Sequence, residues 1–307
     1  MKKRILVISS ANVDLVLRTD TFPRAGETVV SGGGYSYLPG GKGANAARAA
    51  ASLGADTVFV CRLGEDRYAK KLLALYESEG IDTRFITVDR ENETGMAAVI
   101  STPDGESRII VYPGANGTLS ADNVEDAFTS YPDGALVQLE IPEEAVLAAG
   151  RFAAENGAKL IVDAGPAKPD FPFSKMGTID IFSPNETECE AYTGICPRDG
   201  ESALRACVAL GRMMKVKNIV IKMGERGAFA YDGKYSRIIP AFRVNAVDST
   251  GAGDVFSAAL AVRYVSGDGL YDAVRYACAA GALCASHLGA YAPSEDEVLA
   301  LMEKSGS

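Results

Sequence analysis

Apolar residues recur along this chain in two rhythms. RILVISS (4–10) opens with four consecutive apolar residues after its arginine, the pattern of a strand buried on both faces. ALVQLE (135–140), KLIVDAG (159–165), IDIFSPN (179–185) and NIVIKMG (218–224) repeat that pattern, and TVFVCRLG (57–64) reads as one further strand. Between them lie stretches of helical period: DRYAKKLLALYESEG (66–80), PEEAVLAAGRFAAENG (142–157) and SALRACVALGRMMKV (202–216). GANAARAAASLG (43–54) is an alanine-rich helix that stops at Gly54. Strand and helix alternate, so the chain is expected to be α/β, a mostly parallel sheet between helix layers.

Three segments depart from this rhythm. NVDLVLRTD (12–20) and ETVVSGGGYSYLPG (27–40) are more polar and punctuated by glycine, which places them as strands outside the main core. Residues 94–114 contain two apolar runs around Pro103-Asp104-Gly105, a hairpin with its turn. Its faces, Met96/Ala98/Ile100 and Ala97/Val99, are both apolar, so each is expected to be covered. With no linker, long repeat or low-complexity tract, residues 1–307 are expected to form a single domain.

Composition narrows the function. A net charge of −9 argues against nucleic-acid and membrane-surface partners. The opening MKKRILVISS lacks a cleavage pattern, and no apolar run reaches membrane-spanning length. The six cysteines form no CxxC pair and read as reduced thiols, which suits a cytoplasmic protein. The lone histidine, His287, argues against a Ser-His-Asp triad or a multi-histidine zinc site.

Candidate chemistry lies mostly in loops. Gly251-Ala252-Gly253 opens the helical stretch 252–267, and the unpaired amides of a helix start suit an anion. Asp254 follows inside that turn, where a carboxylate could take a proton from an attacking hydroxyl; equally, it could complement the helix dipole. PGGKGANAA (39–47) offers Gly41, Lys42 and Asn45, with Asn45 opening a helix. Gly43 follows the lysine, so this is no Walker A loop. Its donors fit a polyol. Gly41, Gly43 and Ala46, with Glu65 and Asp66 downstream, also match a degenerate dinucleotide fingerprint. Asn185 and Glu188 in SPNETECE could share a helix face and hold a hydrated Mg²⁺, or simply acidify a helix start. Glu140 ends an apolar strand, where ligands of parallel sheets gather. Asn12 and Asp14 point to one side of a strand, and KMGERG (222–227) is a turn able to run along phosphates.

Taken together, these motifs resemble the ribokinase, or PfkB, family of carbohydrate kinases. GGKGANAARAAASLGADTVFVCRLGED resembles its N-terminal signature, AVDSTGAGDVFSAAL its C-terminal signature, and NETE its N-x-x-E motif. The resemblance implies a three-layer sandwich with a small β-sheet lid from about 12–38 and 94–114. It implies ATP-dependent phosphorylation of a pentose, D-ribose at its 5-hydroxyl. A deoxyribokinase, fructokinase or nucleoside kinase is the alternative within the class. Outside it stand an NAD-dependent oxidoreductase and a non-catalytic sugar-binding protein.

The resemblance also assigns roles. The amides of Gly251, Ala252 and Gly253 would form the anion hole, and Asp254 would be the base. Sugar contacts would fall on Asn12, Asp14, Gly41, Lys42, Asn45, Glu140 and Asp254. ATP would meet Asn185, Lys222, Gly224, Arg226, Gly227 and Gly253, with Cys278 near the adenine, and Glu188 and Asn185 would hold Mg²⁺ through water. Asp248, Thr250, Cys284, His287 and Gly289 would hold K⁺. Pro293 stands where relatives often have a serine, so Ser294 would reach in instead, or a carbonyl would substitute. Two lids would clasp each other in a homodimer.

Overall fold

The computed structural model describes residues 2–104 and 106–304. In chain order the strands begin with β1 (Arg4–Ile8), β2 (Asn12–Arg18), β3 (Tyr35–Gly40), β4 (Asp56–Val60) and β5 (Arg62–Gly64). Next come β6 (Thr87–Asp89), β7 (Gly95–Ser101), β8 (Ser107–Tyr112), β9 (Gly134–Val137) and β10 (Lys159–Asp163). The last are β11 (Thr178–Ser183), β12 (Lys215–Lys222), β13 (Ala228–Tyr231) and β14 (Ser236–Ile239). The helices are α1 (Lys42–Ser52), α2 (Arg67–Ser78), α3 (Ala121–Phe128), α4 (Glu143–Asn156) and α5 (Glu186–Thr193). They continue as α6 (Gly200–Met213), α7 (Ala252–Ser266), α8 (Leu270–Ala285) and α9 (Glu295–Lys304).

Eight strands form the main sheet in the order β14-β13-β12-β11-β10-β9-β1-β4. It is parallel from β12 to β4, with β13 and β14 antiparallel at one edge. Successive strand residues face opposite ways. Ile5, Val7, Phe59, Leu136, Ile161 and Val220 therefore join one core, shared with α1, α7 and α8. Leu6, Ile8, Val58, Val137, Leu160 and Val162 join another, shared with α3, α4 and α6. The result is the expected sandwich of helix, sheet and helix. Helix α7 is buried along nearly its whole length, which explains why AGDVFSAALAV is apolar on every side.

A second, four-stranded sheet has the order β3-β2-β7-β8. Strands β7 and β8 pair antiparallel from Met96↔Tyr112 to Ser101↔Ser107, which is the expected hairpin; Gly105 of its turn lies outside the described residues. The stretch 27–40 is a strand only from Tyr35, because Ser31-Gly32-Gly33-Gly34 before it cannot sustain a ladder. TVFVCRLG is two strands: after Cys61 the chain leaves the main sheet, and β5 pairs with β6 instead. The helix expected to reach 216 ends at Met213, and Lys215 already begins β12. Among the described residues no helix is long and apolar enough to cross a membrane.

Candidate active site

The parallel strands run one way from β1 to β4 and the other way from β1 through β9 to β12, so the order reverses at β1. Ligands of open α/β sheets bind beyond the carboxyl ends of the strands at such a reversal. Here those ends deliver Ser10 after β1, Gln138 and Glu140 after β9, Asp163 on β10 and Lys222 on β12. Two helices begin over them. The first, α1, starts at Lys42 rather than at Asn45; its cap, Gly41, has φ 91°, and a side chain there would come within 2.7 Å of the Asn12 amide nitrogen. The second, α7, starts at Ala252 beneath Gly251, whose φ of 75° and closeness to Ala290 likewise require glycine.

Asp254 lies at the centre and is 5% exposed. Its Oδ2 accepts from Asn45 Nδ2 at 2.9 Å and its Oδ1 from Gln138 Nε2 at 3.2 Å. The Lys42 ammonium stands 3.6 Å from Oδ1. Burial raises the pKa of Asp254, the carboxylates of Asp163 and Glu140 add to that rise, and Lys42 and Asn45 oppose it. Asp254, more than any other neighbour, raises the Lys42 pKa, which keeps that ammonium charged. An ionised carboxylate of raised basicity, held by two amides, is suited to accepting a proton.

Around Asp254 lie oxygens with no donor among the described residues: Oδ1 of Asp14, Oδ1 of Asn45 and Oε1 of Gln138. The Asn12 side-chain oxygen already accepts from Asn116 Nδ2 at 2.8 Å. Glu140 accepts from the Ser10 hydroxyl and, at 3.4 Å, from the Lys42 amide. Asp14 has its pKa raised to about 6, by burial first and then by Glu140 and Asp254. Buried acceptors without donors are costly. Together they match a ligand rich in hydroxyl groups.

On the other side of Asp254 opens a cavity of about 930 Å³, within the range of small-molecule sites. Lys42, Asn185, Glu188, Lys222, Gly253 and Asp254 line its inner end. Phe242 and Val244, and Cys278, Gly281 and Ala282 of α8, line it as well. Asn185 is the cap of α5: its side chain accepts from the Glu188 amide, and Glu188 Oε2 accepts from the Asn185 amide at 2.7 Å. The pair therefore forms a reciprocal helix cap. Glu188 Oε1 has no partner among the described residues, and no group of three or more His, Cys, Asp or Glu residues able to hold a metal occurs among them. Asn185 and Glu188 thus offer one free carboxylate oxygen, which fits Mg²⁺ only as an ion that keeps most of its waters.

Several expected assignments change. Arg226 does not line the cavity; its guanidinium bonds the Glu186 carboxylate and the carbonyls of Pro197 and Arg198, tying its turn to the α5–α6 connection. Lys222, Gly224 and Gly227 do line it. The Ala252 amide is taken by the Ser249 carbonyl at 3.2 Å, so of the three amides expected to form the anion hole only those of Gly251 and Gly253 have no acceptor among the described residues. Ser294 does not reach toward Asp248: its hydroxyl bonds Glu297 and caps α9. The His287 ring stacks on Tyr291 and meets the Leu283 carbonyl. Asp248, Thr250, Cys284 and Gly289 do come together: Asp248 accepts from Thr250 and Gly289, and the Cys284 thiol lies 3.5 Å from the Thr250 carbonyl. The dinucleotide alternative loses one of its two acids, since Asp66 caps α2 and holds the Thr94 amide.

Sequence reasoning missed Gln138, Asp163, Ser257 and Asn116. The first two sit at strand ends beside Glu140, and the rule that selected Glu140 could have selected them. Ser257 is one helical turn beyond Asp254. Asn116 follows the hairpin in a short 3₁₀ turn and ends YPGAN (112–116), a stretch that shares in the family resemblance although the sequence reading gives its asparagine no role.

The chain is 34% identical over 307 residues to a protein from Haemophilus influenzae named "Ribokinase", covering 99% of each. It is 35% identical over 267 residues to a "Deoxyribokinase" of Salmonella typhi, covering 86% of this chain and 87% of that one. A solved structure of Arabidopsis thaliana ribokinase complexed with ribose and ATP superposes with a TM-score of 0.88 at 31% identity, covering 99% of both chains. A family model described as "pfkB family carbohydrate kinase" matches residues 2–297, and the chain belongs to that family.

Proposed function

We propose that this carbohydrate kinase transfers the terminal phosphoryl group of ATP to the 5-hydroxyl of D-ribose. The observation that carries this reading is the set of unpartnered acceptors on Asp14, Asn45 and Gln138 around the Asp254 carboxylate. Ribose hydroxyls would supply the missing donors. Asp254 would take the proton of the attacking hydroxyl, and the Gly251 and Gly253 amides would meet the charge on the transferring phosphoryl group. Lys42, held between Asp254 and Glu140, would bridge the two substrates. The adenine would lie between Phe242 and the small residues of α8 near Cys278. Glu188 Oε1 and Asn185 would hold water-bound Mg²⁺, which supplies charge neutralisation on the phosphates.

Three further readings accompany this one. A monovalent cation, K⁺, would sit by the Asp248 carboxylate and the Thr250 carbonyl, with carbonyls near Cys284, His287 and Gly289; Ser294 is no longer among its ligands. The small sheet would act as a lid and pair with a second copy. Ile109, Ile110, Val111 and Tyr112 are all exposed, Ile110 by 71%, which supports a covered surface there. A monomer by light scattering at micromolar concentration would refute that pairing. The six free cysteines support a cytoplasmic location.

A sugar panel tests the central reading. ADP release is measured with ribose, 2-deoxyribose, fructose and a nucleoside, and the product is identified by phosphorus NMR. Ribose is expected to give the highest kcat/KM and ribose 5-phosphate as product. A site that hydrogen-bonds a hydroxyl can reject an analogue lacking it by ~10⁴. A nucleoside or 2-deoxyribose that outperforms ribose would overturn the acceptor assignment.

A further inference from the structure

Asp163 is a carboxylate at the carboxyl end of β10, 2% exposed in its side chain. Three elements donate to it. Its Oδ1 accepts from Lys222 Nζ at 2.6 Å, from the end of β12. Its Oδ2 accepts from Gln138 Nε2 at 3.1 Å, just beyond β9, and from Ser257 Oγ at 2.9 Å, on α7. One of these partners bonds Asp254, and another stands on the same helix. The same Gln138 nitrogen donates to Asp254 Oδ1, and Ser257 lies three residues along the helix from Asp254.

The third partner leads to the phosphate side. Lys222 is 13% exposed in its side chain and lines the large cavity. Its ammonium comes within 4.0 Å of the point where a side chain on Gly253 would begin, beside the cradle amide. A lysine has a flexible four-carbon stem and no planar fork to orient it. Only fixed partners keep its charge at one point, and here the near one is Asp163 at 2.6 Å, with the Ser257 hydroxyl at 3.4 Å.

A buried ion pair is a poor source of stability, since apolar residues of similar volume often serve as well. This one stands on the floor of the site, with one member facing the cavity. We propose that Asp163 is a positioning residue for phosphoryl transfer, fixing the Lys222 ammonium against the transferring group while orienting Asp254 through Gln138 and Ser257. One carboxylate thereby sets the distance between the proton acceptor and the cation on the phosphate. The proposal rests on the kinase reading above. The burial of Asp163 pushes its pKa up, but Lys222 and Lys42 outweigh that and hold it below the ordinary range, so all three donors meet an ionised group.

A double-mutant cycle read in steady-state kinetics tests this. Asp163→Asn keeps the shape and removes the charge; Lys222→Met keeps the length and removes the ammonium. Each is expected to lower kcat about 10²-fold, as loss of a preorganised transition-state contact does, with the sugar KM within about twofold. The double variant is expected to lose about as much as either single, because both break one unit. Ribose binding by calorimetry and thermal melts accompany every variant, and wild-type turnover on the sugar panel reports separately on the kinase reading. Asp163→Asn with kcat within about threefold and only a lowered Tm would make the pair structural and overturn the proposal. So would a double variant whose loss equals the product of the singles, or an unchanged kcat in Lys222→Met. If Asp163→Asn fails to bind ribose and melts early, Lys222→Met alone decides through the same split between kcat and KM.

Discussion

At the ends of the main sheet, the Asp163 carboxylate receives three donors from three different elements, and the Lys222 charge is paired at 2.6 Å. On the small sheet, Asp14 has a buried oxygen with no donor among the described residues. The difference follows from where each lies. Asp163 is enclosed between β9, β12 and α7, so its carboxylate has its donors within the protein, although the Gln138 Oε1 beside it has none among the described residues. The small sheet is partly exposed and borders the cleft, so a polar group there can wait for a ligand. One region is largely organised within the protein; the other would be completed by the proposed sugar.

The largest expected effect comes from the organised side. Asp254→Asn keeps the size of the side chain and one oxygen for a donor from Asn45 or Gln138, but removes the carboxylate proposed to accept the proton. Loss of a general base costs ~10²–10⁴ in rate, and sugar affinity should change little. The raised pKa of Asp254 gives a second reading: the base must be ionised, so kcat should fall as pH drops through a value above the ordinary aspartate range. A variant that retains near-full kcat would remove Asp254 from the chemistry.

The unfinished side should behave in the opposite way. Asp14→Asn removes a charged acceptor, and loss of such a bond typically raises KM for the sugar ~10- to 100-fold, with kcat less affected. Stability should move the other way. The folded pKa of Asp14 is raised to about 6, so the folded state holds its proton more tightly than the unfolded chain. Stability therefore declines as pH rises from about 4 to about 6, and the cost is fully present above that, on the order of 2–3 kcal/mol. Asp14→Asn should raise Tm by roughly a few degrees at neutral pH and by nothing near pH 4. A Tm unchanged at pH 7.5 would mean that burial of this carboxylate is not costly.

The same contrast governs what the sequence revealed. Doubly buried strands such as ILVI and IVIK and the alanine-rich α1 were legible because burial dictates composition. Asp254, Lys42 and Asn45 were legible because glycine-rich helix starts constrain residue types on both sides. The small sheet was read only in part, since its strand at 35–40 is largely exposed and its pattern is set by pairing rather than by a core. Asp163 and Gln138 looked like polar endings of ordinary strands. Their meaning lies in contacts across 25 and 116 positions of sequence, which no local pattern records. Arg226 and Ser294 were misread for a related reason: each bonds its own surroundings, Glu186 and Glu297, before it can reach the site.

The smallest expected effect concerns the loop that carries the cradle. Asp248 Oδ1 accepts from the Thr250 amide at 2.9 Å and its hydroxyl at 2.7 Å, and Oδ2 accepts from the Gly289 amide at 2.9 Å. The amides of Val247 and Asp248 both bond the Ala285 carbonyl. Hydrogen bonds thus brace this loop before any ion is added. An ion beside the Thr250 carbonyl would add to that brace, and its benefit would be limited to how well the Gly251 and Gly253 amides face the phosphate. Mg²⁺ demands a compact octahedron, whereas one carboxylate and scattered carbonyls suit a larger monovalent ion. K⁺ is therefore expected to raise kcat several-fold over Na⁺ at constant ionic strength, far less than the loss in Asp254→Asn. Asp248→Ala should abolish the response and lower the rate in both salts, because it removes the brace as well as the ligand. Equal wild-type rates in the two salts, with Asp248→Ala still impaired, would show that the hydrogen bonds alone hold the cradle.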